Sequence, residues 1–137
     1  MRYLLDTCVL SDFARGQTRV LARIKGTPPG ELAVTTLTLM EVEYGLRLNA
    51  ARGQKLRPVM EAFFRSVHVL PYSEDDARAT ASVRAALKVR GQPIGAYDAL
   101  IAGCALVRGL IMVTSNTGEF ARVEGLKLED WRDTGRQ

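Results

Sequence analysis

Asp6, Glu41, Asp98 and Glu119 stand at four separate places in a 137-residue chain, and three of them adjoin an apolar segment. Asp6 closes the run Tyr3-Leu4-Leu5, Glu41 lies one step into an apolar helical pattern, and Asp98 opens another pattern after Pro93-Ile94-Gly95. A carboxylate beside a buried segment costs several kcal/mol unless it is paired or bound to a metal. Carboxylates brought together also raise one another's pKa unless a cation neutralises them. Hard oxygen donors with no thiolate or imidazole nearby suit Mg²⁺ or Mn²⁺. A chain of net charge +4 that still collects acids at such places is expected to bind a divalent cation. Taken singly, each acid has a plainer role. Asp6 could cap the following turn, Glu41 could close a capping box opened by Thr38, Asp98 could be a first-turn acid, and Glu119 could be a solvated loop charge. Their joint placement after strands favours a site. Asp12, Glu43 and Glu61 read as surface charges.

Composition narrows the class. Hydrophobic residues make up 47% and charged residues 25%, as expected of a globular chain able to bury a core unaided. One domain over residues 1–137 is expected. No apolar run approaches the ~20 residues of a membrane span. An acid at position 6 comes too early for a signal peptide, so the chain is expected to be cytosolic and complete. Cys8 and Cys104 sit in apolar surroundings and read as free, buried thiols. With a single histidine, His68 in the strand-like run Val67-His68-Val69-Leu70, no Cys/His zinc set can be built. His68 reads as a strand-face residue, which leaves a Ser-His-Asp mechanism without its base. Fifteen of the nineteen basic residues are arginine, and the sequence pI is about 9.4. A basic surface around an acidic pocket suits a nuclease, the first attracting the phosphate backbone and the second holding metal.

Strand-like and helix-like segments alternate, which predicts an α/β fold with a central, mainly parallel sheet of four to five strands flanked by helices. Strands are expected at Tyr3 to Leu5, Leu32 to Thr35, Val67 to Leu70, Leu110 to Val113 and, shorter, Leu126 to Leu128. Helices are expected around Val9 to Ala14, Thr18 to Lys25, from Thr38 with a stripe of Leu39, Val42, Leu46 and Leu48, Pro58 to Ser66, a long one capped by Ser73, and Tyr97 to Arg108. Asn49 to Gln54 reads as a loop. Open parallel sheets place active sites beyond the C-terminal ends of their strands. Asp6 and Thr114-Ser115-Asn116 follow strands directly, and Glu119 is three residues further on.

At this point four segments resemble a known family. Leu4-Leu5-Asp6-Thr7-Cys8-Val9-Leu10 is similar to the opening motif of PIN domains, and Glu41-Val42-Glu43-Tyr44-Gly45 resembles their E-(L/V)-x-x-G segment. Ile94-Gly95-Ala96-Tyr97-Asp98-Ala99-Leu100-Ile101-Ala102 resembles I-G-x-x-D-x-L-I-A, the most specific of the set. Val113 to Phe120, with Val123-Glu124-Gly125-Leu126 and Trp131, resembles the closing motif. The likeness runs along essentially the whole chain and is nearest to VapC toxins of type II toxin–antitoxin systems. It implies a Mg²⁺-dependent endoribonuclease (Mn²⁺ also serving) that leaves 5′-phosphate and 3′-hydroxyl ends. It makes Asp6, Glu41 and Asp98 metal ligands and Glu119 a fourth catalytic acid, with Thr7, Thr114, Ser115 and Asn116 in support. Many members carry Asp where this chain has Asn116. The resemblance further implies a structured RNA target such as tRNA, a homodimer, and a VapB-like antitoxin.

Arg15, Arg19 and Arg23 are four apart and would form one basic stripe on a helix, a candidate RNA contact. Phe13, Leu46, Leu48, Phe63 and Phe64 are candidates for interfaces or for core. Two related α/β classes fit poorly. A haloacid-dehalogenase-like phosphatase needs a second Asp where Cys8 stands, and a receiver-like domain needs an acidic pair and a late Lys. The reading from another class is a PIN domain without activity that serves as an RNA- or protein-binding module.

Overall fold

The computed structural model describes residues 1–132, so positions 133–137 of the expected domain lie outside the described residues. Five strands form one sheet in the order β3-β2-β1-β4-β5, every neighbouring pair parallel. They are β1 (Tyr3–Leu5), β2 (Leu32–Thr35), β3 (His68–Leu70), β4 (Ile111–Val113) and β5 (Lys127–Glu129). Between them run α1 (Thr7–Arg15), α2 (Thr18–Lys25), α3 (Thr36–Leu48), α4 (Ala50–Ser66), α5 (Glu74–Val89), α6 (Ala96–Arg108) and the short α7 (Thr117–Phe120). Parallel strands need long crossovers, and helices supply them on both faces. Every residue of β1 and β2 is buried, as strands covered on both sides must be. Edge strand β3 exposes His68, which bears out its strand-face reading.

Alternation along the strands divides the core. Tyr3, Leu5, Leu32 and Val34 face Val9, Val20, Ile24, Met60 and Phe63, from α1, α2 and α4. Leu4, Ala33 and Met112 face Val83, Leu87, Ile101 and Phe120, from α5, α6 and α7. Trp131 closes the first layer edge-on to Tyr3, with ring centroids 5.2 Å apart. Phe63 is core, and Phe13, Leu46 and Phe64 pack against it, but Leu48 is 68% exposed. No helix among the described residues is long and apolar enough to cross a membrane.

Several local expectations are corrected. Thr35, not Thr38, caps α3: its hydroxyl accepts from the Thr38 N–H, so Glu41 lies beyond the capping turn. The expected loop over positions 49–54 is the start of α4, capped by Asn49, whose side chain accepts from the Arg52 N–H. Gly53 lay in that expected loop and Pro58 at the expected helix start, and both fall inside α4. Gly53 instead allows close crossing, since a Cβ there would stand 2.0 Å from the Leu46 carbonyl oxygen. Arg15, Arg19 and Arg23 do not share a helix, because Gly16 ends α1 at φ 75°. Arg15 bonds Asp12, Arg19 the carbonyl of Arg132, and Arg23 bonds Glu129 and stacks over Trp131. Asp12 is no surface charge. It is 1% exposed and held by Arg15 and Arg132, hydrogen bonds from Arg132 drawing its pKa down against burial.

Asp76 is the second buried acid outside the sheet edge. It closes a capping box with Ser73 and takes Arg108 in a two-pronged pair at 2.6 and 3.2 Å, locking α5 to α6. Burial raises its pKa, but bonds from Arg108 and the Ser73 N–H outweigh this and hold it below the usual value. A depressed acid contributes stability above its unfolded pKa and loses it as pH falls through the folded one. Asp76→Asn should therefore cost about 3–5 kcal/mol at pH 7, because Arg108 is left without its partner. The deficit relative to wild type, read from urea unfolding, should shrink as pH drops below about 4.

Candidate active site at the ends of strands β1 and β4

From β1 the chain steps outward to β2 and β3, then returns across to β4 on the other side. The crevice beyond the carboxyl ends of β1 and β4 is therefore the switch point where such sheets bind ligands. Asp6 leaves β1 there. Its backbone N–H bonds the Val113 carbonyl at 3.0 Å, and its extended φ/ψ of −74°/161° makes it the N-cap of α1. Oδ1 accepts from the Thr7 N–H at 2.8 Å and Oδ2 from the Thr114 hydroxyl at 2.9 Å. Thr114 is buried, and its oxygen accepts in turn from the Asn116 N–H at 3.0 Å. Cys8, half-buried rather than fully buried, lies 3.5 Å from Oδ2 and accepts from Ser115 N–H and Oγ at 3.5 and 3.4 Å.

Glu41 reaches the crevice from α3, where Oε1 accepts the Thr7 hydroxyl at 2.6 Å. Thr7 thus supports two acids, Asp6 through its backbone and Glu41 through its side chain. The Thr7 and Thr38 hydroxyl oxygens are 3.3 Å apart, and those of Thr38 and Thr35 are 3.4 Å apart. Each hydroxyl has one proton, so Thr7's bond to Glu41 leaves its oxygen to accept from Thr38. Sequence reasoning missed Thr35 and Thr38 as supports. The cluster Thr35-Thr36-Leu37-Thr38 at a strand end was the available signal.

Asp98 sits in the first turn of α6, half-buried. Glu119 follows on α7, its Oε1 accepting the Gly95 N–H at 2.6 Å. Asn116 Nδ2 stands between them, 3.5 Å from Asp98 Oδ2 and 3.4 Å from Glu119 Oε2. Burial, then the charges of Asp6 and Glu119, push Asp98 up to about 6, with Glu41 adding to the effect. The Gly95 N–H holds Glu119 below the ordinary value.

The four sequence-predicted acids thus come together, and Asp98 senses the charges of the other three. Among the described residues no guanidinium or ammonium pairs with any of them. No three Asp, Glu, His or Cys side chains among the described residues converge tightly enough to enclose an ion. Mg²⁺ does not need such a cage, since it binds through one or two carboxylates and keeps several waters. An all-oxygen set without a basic partner fits a hydrated hard cation that Asp6, Asp98 and Glu41 would hold partly through its waters.

A carboxyl whose pKa is raised on folding destabilises the fold once pH exceeds that pKa. In EDTA, Asp98→Asn should raise the melting temperature at pH 8. The gain should fade as pH falls from about 6 toward 4, where the wild-type carboxyl is protonated folded and unfolded alike. A gain independent of pH would dissociate it from the charge at position 98.

Comparison with known proteins agrees with this geometry. A PIN domain family model matches residues 3–126. The chain is 36% identical over 131 residues to the "tRNA(fMet)-specific endonuclease VapC" of Shigella flexneri, covering 96% of this chain and 98% of that one. It is 31% identical to "Ribonuclease VapC2" of Haemophilus influenzae, with the same coverage. The DNA-bound VapBC crystal structure from Salmonella typhimurium superposes with a TM-score of 0.88 at 32% identity, over 96% of this chain and 98% of that one. FitAcB from Neisseria gonorrhoeae superposes at 0.86 with 27% identity, over 94% and 97%. With the motifs in register, the five-stranded parallel sheet and the acids at its switch point, this chain belongs to the PIN domain family.

Proposed function

We propose that this protein is a Mg²⁺-dependent endoribonuclease and the toxin of a VapBC-type toxin–antitoxin pair, acting in the cytoplasm on structured RNA, tRNA above all. The observation that carries the reading is Asp98, pushed up to about 6 by burial and by three neighbouring acids that no basic side chain neutralises. The relatives are supporting evidence, being ribonucleases, one of them named for tRNA(fMet). When bound, a divalent cation supplies positive charge to the scissile phosphate and makes a water more acidic. Asp6, Glu41 and Asp98 hold that charge in place. Thr7 and Thr114 fix the two acids they touch, and Asn116 spaces Asp98 from Glu119. Glu119 is placed to accept a proton from an attacking water. In-line attack on phosphorus expels the ribose 3′-oxygen, leaving 5′-phosphate and 3′-hydroxyl ends.

A VapB-like antitoxin is the proposed partner, since the solved relatives are VapBC complexes. A homodimer is supported by one face of α3. Met40, Tyr44 and Leu48 recur every fourth residue and are 41%, 62% and 68% exposed. Tyr44→Lys should shift the isolated protein from dimer to monomer in sedimentation velocity. An unchanged sedimentation coefficient would exclude this face.

The decisive assay is cleavage of total tRNA with Mg²⁺, with EDTA, and with Asp6→Ala or Asp98→Ala protein. Each substitution should lower cutting by about a hundredfold or more, as loss of a ligand in a metal site does, and fragments should carry 5′-phosphates. Cutting that survives EDTA and both substitutions would sink the mechanism. RNA binding without any cutting by metal-loaded wild type would favour the binding-module reading, which Asn116 in place of an acid motivates.

A further inference from the structure

We propose that the cleft between α1 and the α3–α4 hairpin is the path of a single RNA strand leading away from the cut, with Arg52 and Arg15 holding the phosphates beyond it. The inference rests on the nuclease reading and adds which surface carries the substrate. The cleft holds about 330 Å³. Its walls include Thr7 and Glu41, which belong to the carboxylate crevice, together with Arg15, Asn49 and Arg52. A strand with its scissile phosphate at the acids therefore has a continuous way out between the helices. Half-buried Val42, Leu46 and Leu56 line the cleft and offer apolar contact to ribose and base. Single-stranded loops are the parts of RNA that open to such contacts.

Charge favours a polyanion at the far end. From Arg47 to Arg57 the chain carries Arg47, Arg52, Lys55 and Arg57 and no acid. Two of these are already committed. Arg47 and Arg57 both bond Glu43, at 2.7 Å and at 2.8 and 2.9 Å, and these bonds drop Glu43 to about 2. Arg52 makes no ion pair among the described residues, and Asn49 fixes the helix start beneath it. Arg15 gives one nitrogen to Asp12, a carboxylate it shares with Arg132, and its side chain is 56% exposed. A guanidinium carries five N–H donors, so Arg15 keeps capacity for a phosphate. A larger cleft on the other side of Gly53, about 580 Å³, has Arg57 in its wall, but there Arg57 is bound to Glu43 and Glu61 and the acids of the crevice are not reached.

The test measures anisotropy of a fluorescein-labelled, mixed-sequence single-stranded RNA in EDTA across a salt series. The variants are Arg52→Glu, Arg52→Lys and, on the opposite face of the sheet, Arg84→Glu in α5. Arg52→Glu should weaken binding about tenfold and make the salt slope shallower by about 0.7 or more, while Arg52→Lys stays close to wild type. Arg84→Glu should change affinity by less than about twofold. Equal losses in Arg52→Glu and Arg84→Glu, or no loss in Arg52→Glu, would overturn the path. So would intact RNA binding by Arg52→Glu together with loss of a co-expressed antitoxin, which would give the cleft to a protein. Cutting by metal-loaded wild type is read separately. If wild type cuts while Arg52→Glu binds normally, the path is wrong and the nuclease stands. If wild type never cuts while binding depends on Arg52, the nuclease is wrong and the path stands.

Discussion

Repulsion among Asp6, Glu41, Asp98 and Glu119 is the constraint around which this molecule is arranged. Four acids in one half-buried crevice oppose folding, and Asp98, raised to about 6, registers that opposition. The structure offsets it with neutral donors. Asp6 takes a backbone N–H and a threonine hydroxyl, Glu41 a threonine hydroxyl, and Glu119 the Gly95 N–H. Asp6 and Asp98 also stand at the first turns of α1 and α6, where the helix end is positive. The contrast with the other buried acids is instructive. Asp12 is held by Arg15 and Arg132, and Asp76 by Arg108. The chain therefore pairs its structural acids with arginine and its crevice acids with groups that carry no charge. A guanidinium in the crevice would remove the repulsion.

Placing those donors is the work of the sheet. Parallel order with β1 at the centre brings the end of β1 against the end of β4, and one backbone bond, Asp6 N–H to Val113, fixes the offset. That register sets Thr114 beside Asp6. The distant position 98 arrives through α6, whose close approach to α5 depends on Gly103. A Cβ there would stand 2.3 Å from Thr80 Oγ1. The Asp76–Arg108 pair clamps the same two helices from the side. Core packing, a buried ion pair and a bare backbone position thus converge on where one carboxylate stands.

The sheet was legible because its central strands are short apolar runs bounded by polar residues, and Asp6 and Asp98 because one follows a strand and the other opens a helix. What escaped the sequence was decided by tertiary contact. Gly53 fell in an expected loop, yet it is what allows α4 to cross α3, and Asn49 supplies the cap that starts the helix early. The arginine stripe assumed one helix through position 16, where left-handed Gly16 turns the chain. Asp12 looked solvated because its partner Arg132 lies 120 residues away in sequence. The role of Thr35 and Thr38 behind Thr7 depends on how α3 meets α1, which periodicity does not encode.

Asn116 puts an amide between Asp98 and Glu119, and the same repulsion explains why an amide suits that position. An aspartate there would bring a fifth charge within about 3.5 Å of both Asp98 and Glu119. Like charges at such range raise pKa further, and Asp98 is already raised to about 6. The amide gives up one ligand oxygen and offers two N–H donors between acids that otherwise only repel. Glu119 remains as the acid on that side, aimed by Gly95 rather than by a charged partner. Asn116 then sets how closely Asp98 and Glu119 approach each other, which is a positioning role and needs no direct contact with the ion.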